Sequence, residues 1–255
     1  MPIQMTSQGE IFYASRGQAA HVVLCVHGAG GNHAHWNAVL VALASSARVI
    51  TLDLPGHGRS PGAGRQQIAA YAAAALALLD ALQIGQATVI GHSMGGAIAL
   101  QMALDQPERV CGIGLVASGA RLRVLPALLT GLAEQPVEAI DMLVATAYAS
   151  HAAPALRERA RREYLGCAAG VVQGDFVACD QFDVRDRLGE LHGPCVVVTG
   201  AEDRLTPPRS AERLAAAIAH ARLHIIAAAG HMVMIEQPAA TATALRQLLA
   251  TAIVG

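Results

Sequence analysis

The pentapeptide Gly91-His92-Ser93-Met94-Gly95 places a serine between two glycines, each two residues away. It follows the β-branched run Ala87 to Ile90 and leads into a helical pattern that opens at Met94. That is the strand-turn-helix setting of a nucleophile elbow. So sharp a turn strains the serine backbone and leaves no room for side chains two residues before or after it. The helix beginning just beyond Ser93 offers free N–H groups to a developing oxyanion.

A serine hydroxyl is a poor nucleophile near neutral pH. It needs an imidazole base, which in turn needs a carboxylate to fix its tautomer. Asp203 follows the run Cys195 to Thr199 in Thr199-Gly200-Ala201-Glu202-Asp203, and His231 follows Leu223 to Ile226 in Ala229-Gly230-His231. Both fall in loops beyond strand carboxyl ends, where ligands gather in open α/β sheets. Glu202 competes with Asp203 for the acid, but adjacent side chains diverge and only one can face His231, so Asp203 is favoured. The loop Ala117-Ser118-Gly119 after Val110 to Val116 contains no carboxylate. A second oxyanion N–H, beside that of Met94, is expected from Ala29 in His27-Gly28-Ala29-Gly30-Gly31.

Other residues have plainer readings. His33 and His35 alternate in a loop with no nearby cysteine or carboxylate, a weak ligand set, so no metal is expected. Trp36 is read as a packing residue, and Asp53 and His57 as shaping the loop after Arg48 to Leu52. The arginines from Arg157 to Arg162 alternate with Glu158 and Glu163 as on a solvated helix face. Gly28, His92, Arg121 and Met232 are the candidate substrate contacts, with Arg121 or Arg123 placed to favour an acidic group. Met94, Leu125, Leu128, Leu132, Met142, Val144 and Met232 are candidates for an apolar pocket wall.

The elements that must position these residues are short apolar strands and Ala- and Leu-rich helices. The strands are His21 to Val26, Arg48 to Leu52, Ala87 to Ile90, Val110 to Val116, Cys195 to Thr199 and Leu223 to Ile226. Their continuous apolar character suits a parallel sheet covered on both faces. Helical patterns lie at Trp36 to Ala44, Gln66 to Leu82, Met94 to Asp105, Arg209 to Ala219 and Ala239 to Ala252, so the class is α/β. Ile3 to Met5 and Glu10 to Ala14 are expected to form an antiparallel hairpin at one edge. The long interval from Ser118 to Gly193 breaks this rhythm. Its helical stretches Val124 to Glu134, Val137 to Ala149 and Pro154 to Cys167 are read as a small helical cap. The expected division is a core of residues 1–117 and 194–255 with a cap or lid insertion at 118–193.

With these residues set out, the chain resembles the α/β-hydrolase superfamily of serine hydrolases over its whole length. The matching stretches are His27-Gly28-Ala29-Gly30-Gly31, Asp53-Leu54-Pro55-Gly56-His57-Gly58-Arg59-Ser60, Gly91-His92-Ser93-Met94-Gly95-Gly96, Gly200-Ala201-Glu202-Asp203 and Gly230-His231. The resemblance implies a mostly parallel central sheet of about eight strands flanked by helices. It also implies Ser93 as nucleophile, His231 as base, Asp203 as its orienter, Ala29 and Met94 as oxyanion donors, and no metal or cofactor. Such motifs define the superfamily and not the substrate.

Composition sets the remaining bounds. In 255 residues, 53% are hydrophobic and 15% charged, which excludes a disordered chain. The most apolar stretch, Ile68 to Leu82, is interrupted by Asp80 and falls short of the roughly 20 residues that span a bilayer, so no membrane partner is expected. A net charge of −1 disfavours nucleic acid. Five scattered cysteines give neither a disulfide framework nor a zinc site. The start MPIQMTSQGE has no secretory pattern, so a cytoplasmic location is expected.

The expected activity is hydrolysis of carboxylic esters of small or medium acyl groups through an acyl-enzyme. The alternatives are a lactonase like the enol-lactone hydrolases and a carbon-carbon bond hydrolase, both using the same triad. A ligand-sensing pseudo-hydrolase is disfavoured because every catalytic position is kept. The expected partner is a small ester or lactone, and a homodimer is the assembly to test. With aromatic residues at only 3%, an aliphatic pocket is expected.

Overall fold

The computed structural model describes residues 3–252. Its eight-stranded sheet has the order β1-β2-β4-β3-β5-β6-β7-β8. The strands are β1 (Ile3–Thr6), β2 (Gly9–Arg16), β3 (Val22–Val26), β4 (Arg48–Leu52), β5 (Ala87–His92), β6 (Val110–Val116), β7 (Cys195–Gly200) and β8 (Arg222–Ile226). β1 and β2 form the expected antiparallel hairpin, β2 pairs antiparallel with β4, and the remaining neighbours run parallel. Every residue of β3, β5 and β7 is buried, as continuous apolar runs require when helices cover both faces.

The helices are α1 (Asn37–Leu43), α2 (Ile68–Ala81), α3 (Met94–Asp105), α4 (Pro126–Glu134), α5 (Pro136–Ala147), α6 (Pro154–Gly166), α7 (Ala169–Gln181), α8 (Pro208–Ala217), α9 (Val233–Glu236) and α10 (Pro238–Ala252). Five of them begin with the proline that fixes a helical φ at a position needing no N–H partner, at Pro126, Pro136, Pro154, Pro208 and Pro238. α3 packs against α2, β3, β5 and β6 and is buried almost all round. That explains a sequence with no polar face: Ala97, Ile98, Ala99 and Leu100 are all 0% exposed. Each buried Leu or Ile there contributes roughly 1.5–3 kcal/mol.

The interval between β6 and β7 contains α4, α5, α6 and α7. The sequence reading found three of these helices and missed α7, whose Gly170 and Gly174 dilute its helical signal. Of the expected pocket-wall residues, Leu125, just before α4, is 71% exposed and Met142, on α5, is 50% exposed. Leu128, Leu132, Val144, Met94 and Met232 are buried.

The chain visits β3 and β4 on one side, then crosses to β5 on the other side of β3. The order of the strands therefore reverses between β3 and β5, the point at which ligands bind in open parallel sheets. The loops after these two strands carry Ala29 and Ser93.

Candidate active site

Ser93 sits at the N-terminus of α3 with φ 52° and ψ −115°. A non-glycine residue in that region is strained by about 1–3 kcal/mol and persists only where its surroundings hold it. They do so closely. A Cβ on Gly91 would overlap the Gly95 carbonyl, and a Cβ on Gly95 would overlap the Val26 carbonyl at the end of β3. The Ser93 amide donates to the Val116 carbonyl at 2.9 Å, and the Ser118 hydroxyl donates to the Ser93 carbonyl at 2.8 Å. Ser118 is thus a support for the turn that nothing in its local sequence marks.

His231 is 5% exposed and is oriented from two sides. Its Nδ1 lies 2.9 Å from Asp203 Oδ2. Its backbone carbonyl accepts the Nε2–H of His92 at 3.0 Å, and the two rings lie 4.8 Å apart between centroids. His92 immediately precedes Ser93, so this contact places the His231 imidazole beside the elbow. The Ser93 hydroxyl has no hydrogen-bond partner among the described residues.

Asp203 is 3% exposed and saturated with donors. Oδ1 accepts the amides of Leu205 and Thr206 at 2.9 and 2.8 Å, and Oδ2 accepts the Thr206 hydroxyl at 2.7 Å as well as His231. Burial raises its pKa, but the charge and hydrogen bond of His231 and then Thr206 outweigh it, so the net shift is downward. The loops meet through backbone bonds from Ala201 to Ile226 and from Glu202 to Ala229, both 2.8 Å. Glu202 turns the other way and accepts from the amide and hydroxyl of Ser150. Nothing in the sequence singled out Thr206.

Ala29 is buried in a turn closed by the Gly31 amide on the Gly28 carbonyl at 3.1 Å. Neither the Ala29 nor the Met94 amide has a partner among the described residues. Gly28 lies against the His92 ring, where a Cβ would stand 2.7 Å from Nδ1. Burial first, and then the charges of His231 and His35, depress the His92 pKa well below the ordinary value, so that ring remains neutral. Met232 follows His231 and is 5% exposed.

The remaining candidates fall elsewhere. Arg121 is 45% exposed in its side chain and pairs with Asp183 at 3.7 Å, where residues 121 and 183 form a β-bridge at the base of the inserted helices. His33 Nδ1 bonds Asp53 at 2.8 Å and His35 Nε2 bonds Glu163 at 2.9 Å, so the two histidines serve different carboxylates. Trp36 is fully buried. Asp53 also accepts the amides of His33 and Arg59, consistent with a loop-shaping role. Tyr164 of α6 lies against Gly30, in the loop that carries Ala29.

The sheet order and the elbow define an α/β hydrolase. A model of the family described as "alpha/beta hydrolase fold" matches residues 21–238, and the chain belongs to that family. A pimeloyl-[acyl-carrier protein] methyl ester esterase of Neisseria meningitidis is 29% identical over 227 residues, covering 84% of this chain and 87% of the relative. A thermophilic esterase of known structure is 33% identical with a TM-score of 0.84, covering 95% of this chain and 94% of the esterase. An N-acyl homoserine lactone degrading enzyme is 27% identical with a TM-score of 0.86, covering 96% of this chain and 99% of the other. The chain spans only part of some longer relatives. It matches 28% of a dihydrolipoyllysine-residue acetyltransferase component of the acetoin cleaving system of Cupriavidus necator at 43% identity, through 41% of its own length. It matches 61% of the corresponding component of Pseudomonas putida at 31% identity, through 86% of its own length.

Proposed function

We propose that this hydrolase cleaves carboxylic esters of small or medium acyl groups, with Ser93, His231 and Asp203 as its catalytic triad. The observation that supports the reading best is the double anchoring of His231, by Asp203 at Nδ1 and by His92 at its carbonyl. Asp203 accepts from Nδ1–H, which leaves the Nε2 lone pair as the basic position.

In the proposed cycle His231 Nε2 takes the Ser93 proton as Oγ attacks the ester carbon. The carbonyl oxygen becomes an oxyanion held by the Ala29 and Met94 amides. His231 then returns the proton to the departing alcohol oxygen. Water, deprotonated by the same nitrogen, attacks the acyl-enzyme and frees the acid and Ser93. Gly28 and His92 border the acyl carbonyl, and Met232 and the inserted helices supply apolar walls. Asp183 already meets the charge of Arg121, so the reading assigns Arg121 no acidic group of the substrate.

The test is turnover of 4-nitrophenyl esters of graded acyl length by wild type and Ser93→Ala. Turnover is expected to require Ser93, and a phosphonate inhibitor is expected to label that residue. Equal rates in the two proteins would overturn the reading. A lactone is the second reading, favoured by the similarity to the lactone-degrading enzyme. The chemistry is the same except that the leaving hydroxyl stays tethered to the acyl group.

A further inference from the structure

Asp175, in the middle of α7, is fully buried and collects donors from three separate parts of the chain. Its Oδ2 accepts the backbone N–H of Gly30 at 2.8 Å and lies 2.8 Å from His57 Nε2, while Oδ1 accepts the Tyr71 hydroxyl at 2.5 Å. Gly30 belongs to the loop after β3, His57 to the loop after β4 and Tyr71 to α2.

The state of His57 follows from its neighbours. Nδ1 faces the Pro55 carbonyl at 3.1 Å, which can only accept, and Nε2 faces a carboxylate. Both contacts favour a hydrogen on their nitrogen and so favour the imidazolium form of the ring. Burial opposes that charge, but the Asp175 hydrogen bond and charge outweigh it and raise the His57 pKa. So costly a buried pair rarely improves stability over an apolar substitute, and its value lies in the geometry it fixes.

That geometry concerns the loop carrying Ala29. The N–H that Asp175 holds belongs to the Ala29-Gly30 peptide, so the contact fixes the backbone on the carboxyl side of Ala29 and with it the adjoining peptide. Gly30 has φ +61°, and a Cβ there would overlap the Tyr164 ring of α6. At the far end of the loop His35 Nε2 meets Glu163 of the same helix at 2.9 Å. The loop is suspended from the helices inserted between β6 and β7.

We infer that Asp175 is a positioning residue for the oxyanion hole, holding the Ala29 amide in its working direction only while α7 is seated on the core. This rests on the proposed role of Ala29. Deleting an oxyanion donor costs about a hundredfold to a thousandfold in kcat. Misdirecting one costs less, so Asp175→Ala is expected to lower kcat about tenfold to a hundredfold with KM within about twofold.

The test compares Asp175→Ala, Asp175→Asn and Tyr71→Phe. The asparagine keeps an oxygen for the Gly30 amide but not the charge, and is expected to recover part of kcat. Tyr71→Phe removes a bond from the same carboxylate without touching Gly30, and is expected to lose stability while keeping kcat. Hydrogen exchange of the peptide spanning residues 28–36 reads the loop without any turnover, and is expected to accelerate in both Asp175 variants but not in Tyr71→Phe. Unchanged exchange in Asp175→Asn, or equal loss of kcat in Tyr71→Phe and the Asp175 variants, would overturn the inference. If Asp175→Ala does not fold, Asp175→Asn and the exchange decide. Absence of Ser93-dependent turnover in wild type sinks the ester-hydrolase reading instead, and the exchange result still judges the loop.

Discussion

His231 Nδ1 and the Thr206 hydroxyl both approach one oxygen of Asp203, at 2.9 and 2.7 Å, while the other oxygen holds two backbone amides. Asp203 is fixed by its own loop before it fixes His231. An imidazole steered by so rigid a carboxylate has one tautomer and little freedom to turn.

Asp203→Asn is therefore expected to cost on the order of ten-thousandfold in kcat, because an amide nitrogen facing Nδ1 selects the wrong tautomer. Thr206→Val, which removes one donor and leaves the charge, is expected to cost about tenfold. Steady-state rates on an activated ester measure both, and Thr206→Val falling as far as Asp203→Asn would contradict this division.

The strain at Ser93 predicts a trade between activity and stability. Ser93→Gly and Ser93→Ala both remove the proposed nucleophile, but only glycine relieves the φ of 52°. Ser93→Gly is expected to be more stable than Ser93→Ala by about 1 kcal/mol, or about 2–4 °C in Tm for a chain of this size. Thermal melts of the two proteins check this directly.

The elbow glycines should tolerate nothing larger. Gly95→Ala places a methyl against the Val26 carbonyl of the neighbouring strand, so either β3 or α3 must move. A loss of about 3 kcal/mol or failure to fold is expected. Denaturation midpoints would show it, and a wild-type midpoint would refute the tight approach of α3 to β3.

Acid should loosen the inserted helices through Glu163. Burial raises its pKa, but the hydrogen bond and charge of His35, and then Arg159, hold it down to about 2. A depressed carboxylate stabilises the fold above its unfolded pKa and loses that contribution as pH falls through the folded value. The stability difference between wild type and Glu163→Gln is expected to be full above the usual glutamate pKa and to vanish as pH approaches about 2. Urea titrations across that range measure it, and a difference independent of pH would assign the contact to packing.

The sequence alone determined the α/β class and the strand positions, and it offered Ser93, Asp203 and His231 as the candidate site. These features have local signatures: apolar strands covered on both faces, and a turn so tight that only glycine fits beside it. It left α7 unread because two glycines weaken its pattern, and it gave no sign that Leu125 and Met142 are exposed, because apolar character does not reveal burial.

Only the tertiary structure decided which polar residues support the site. Asp175 and His57 are separated by 118 positions and Gly30 and Asp175 by 145, yet they share one buried oxygen. Such a contact leaves no mark on its local sequence, since an aspartate on a helix reads equally well as solvated. Its meaning comes from burial, where an unpaired charge is too costly to persist and each donor must be brought from wherever the fold can supply it.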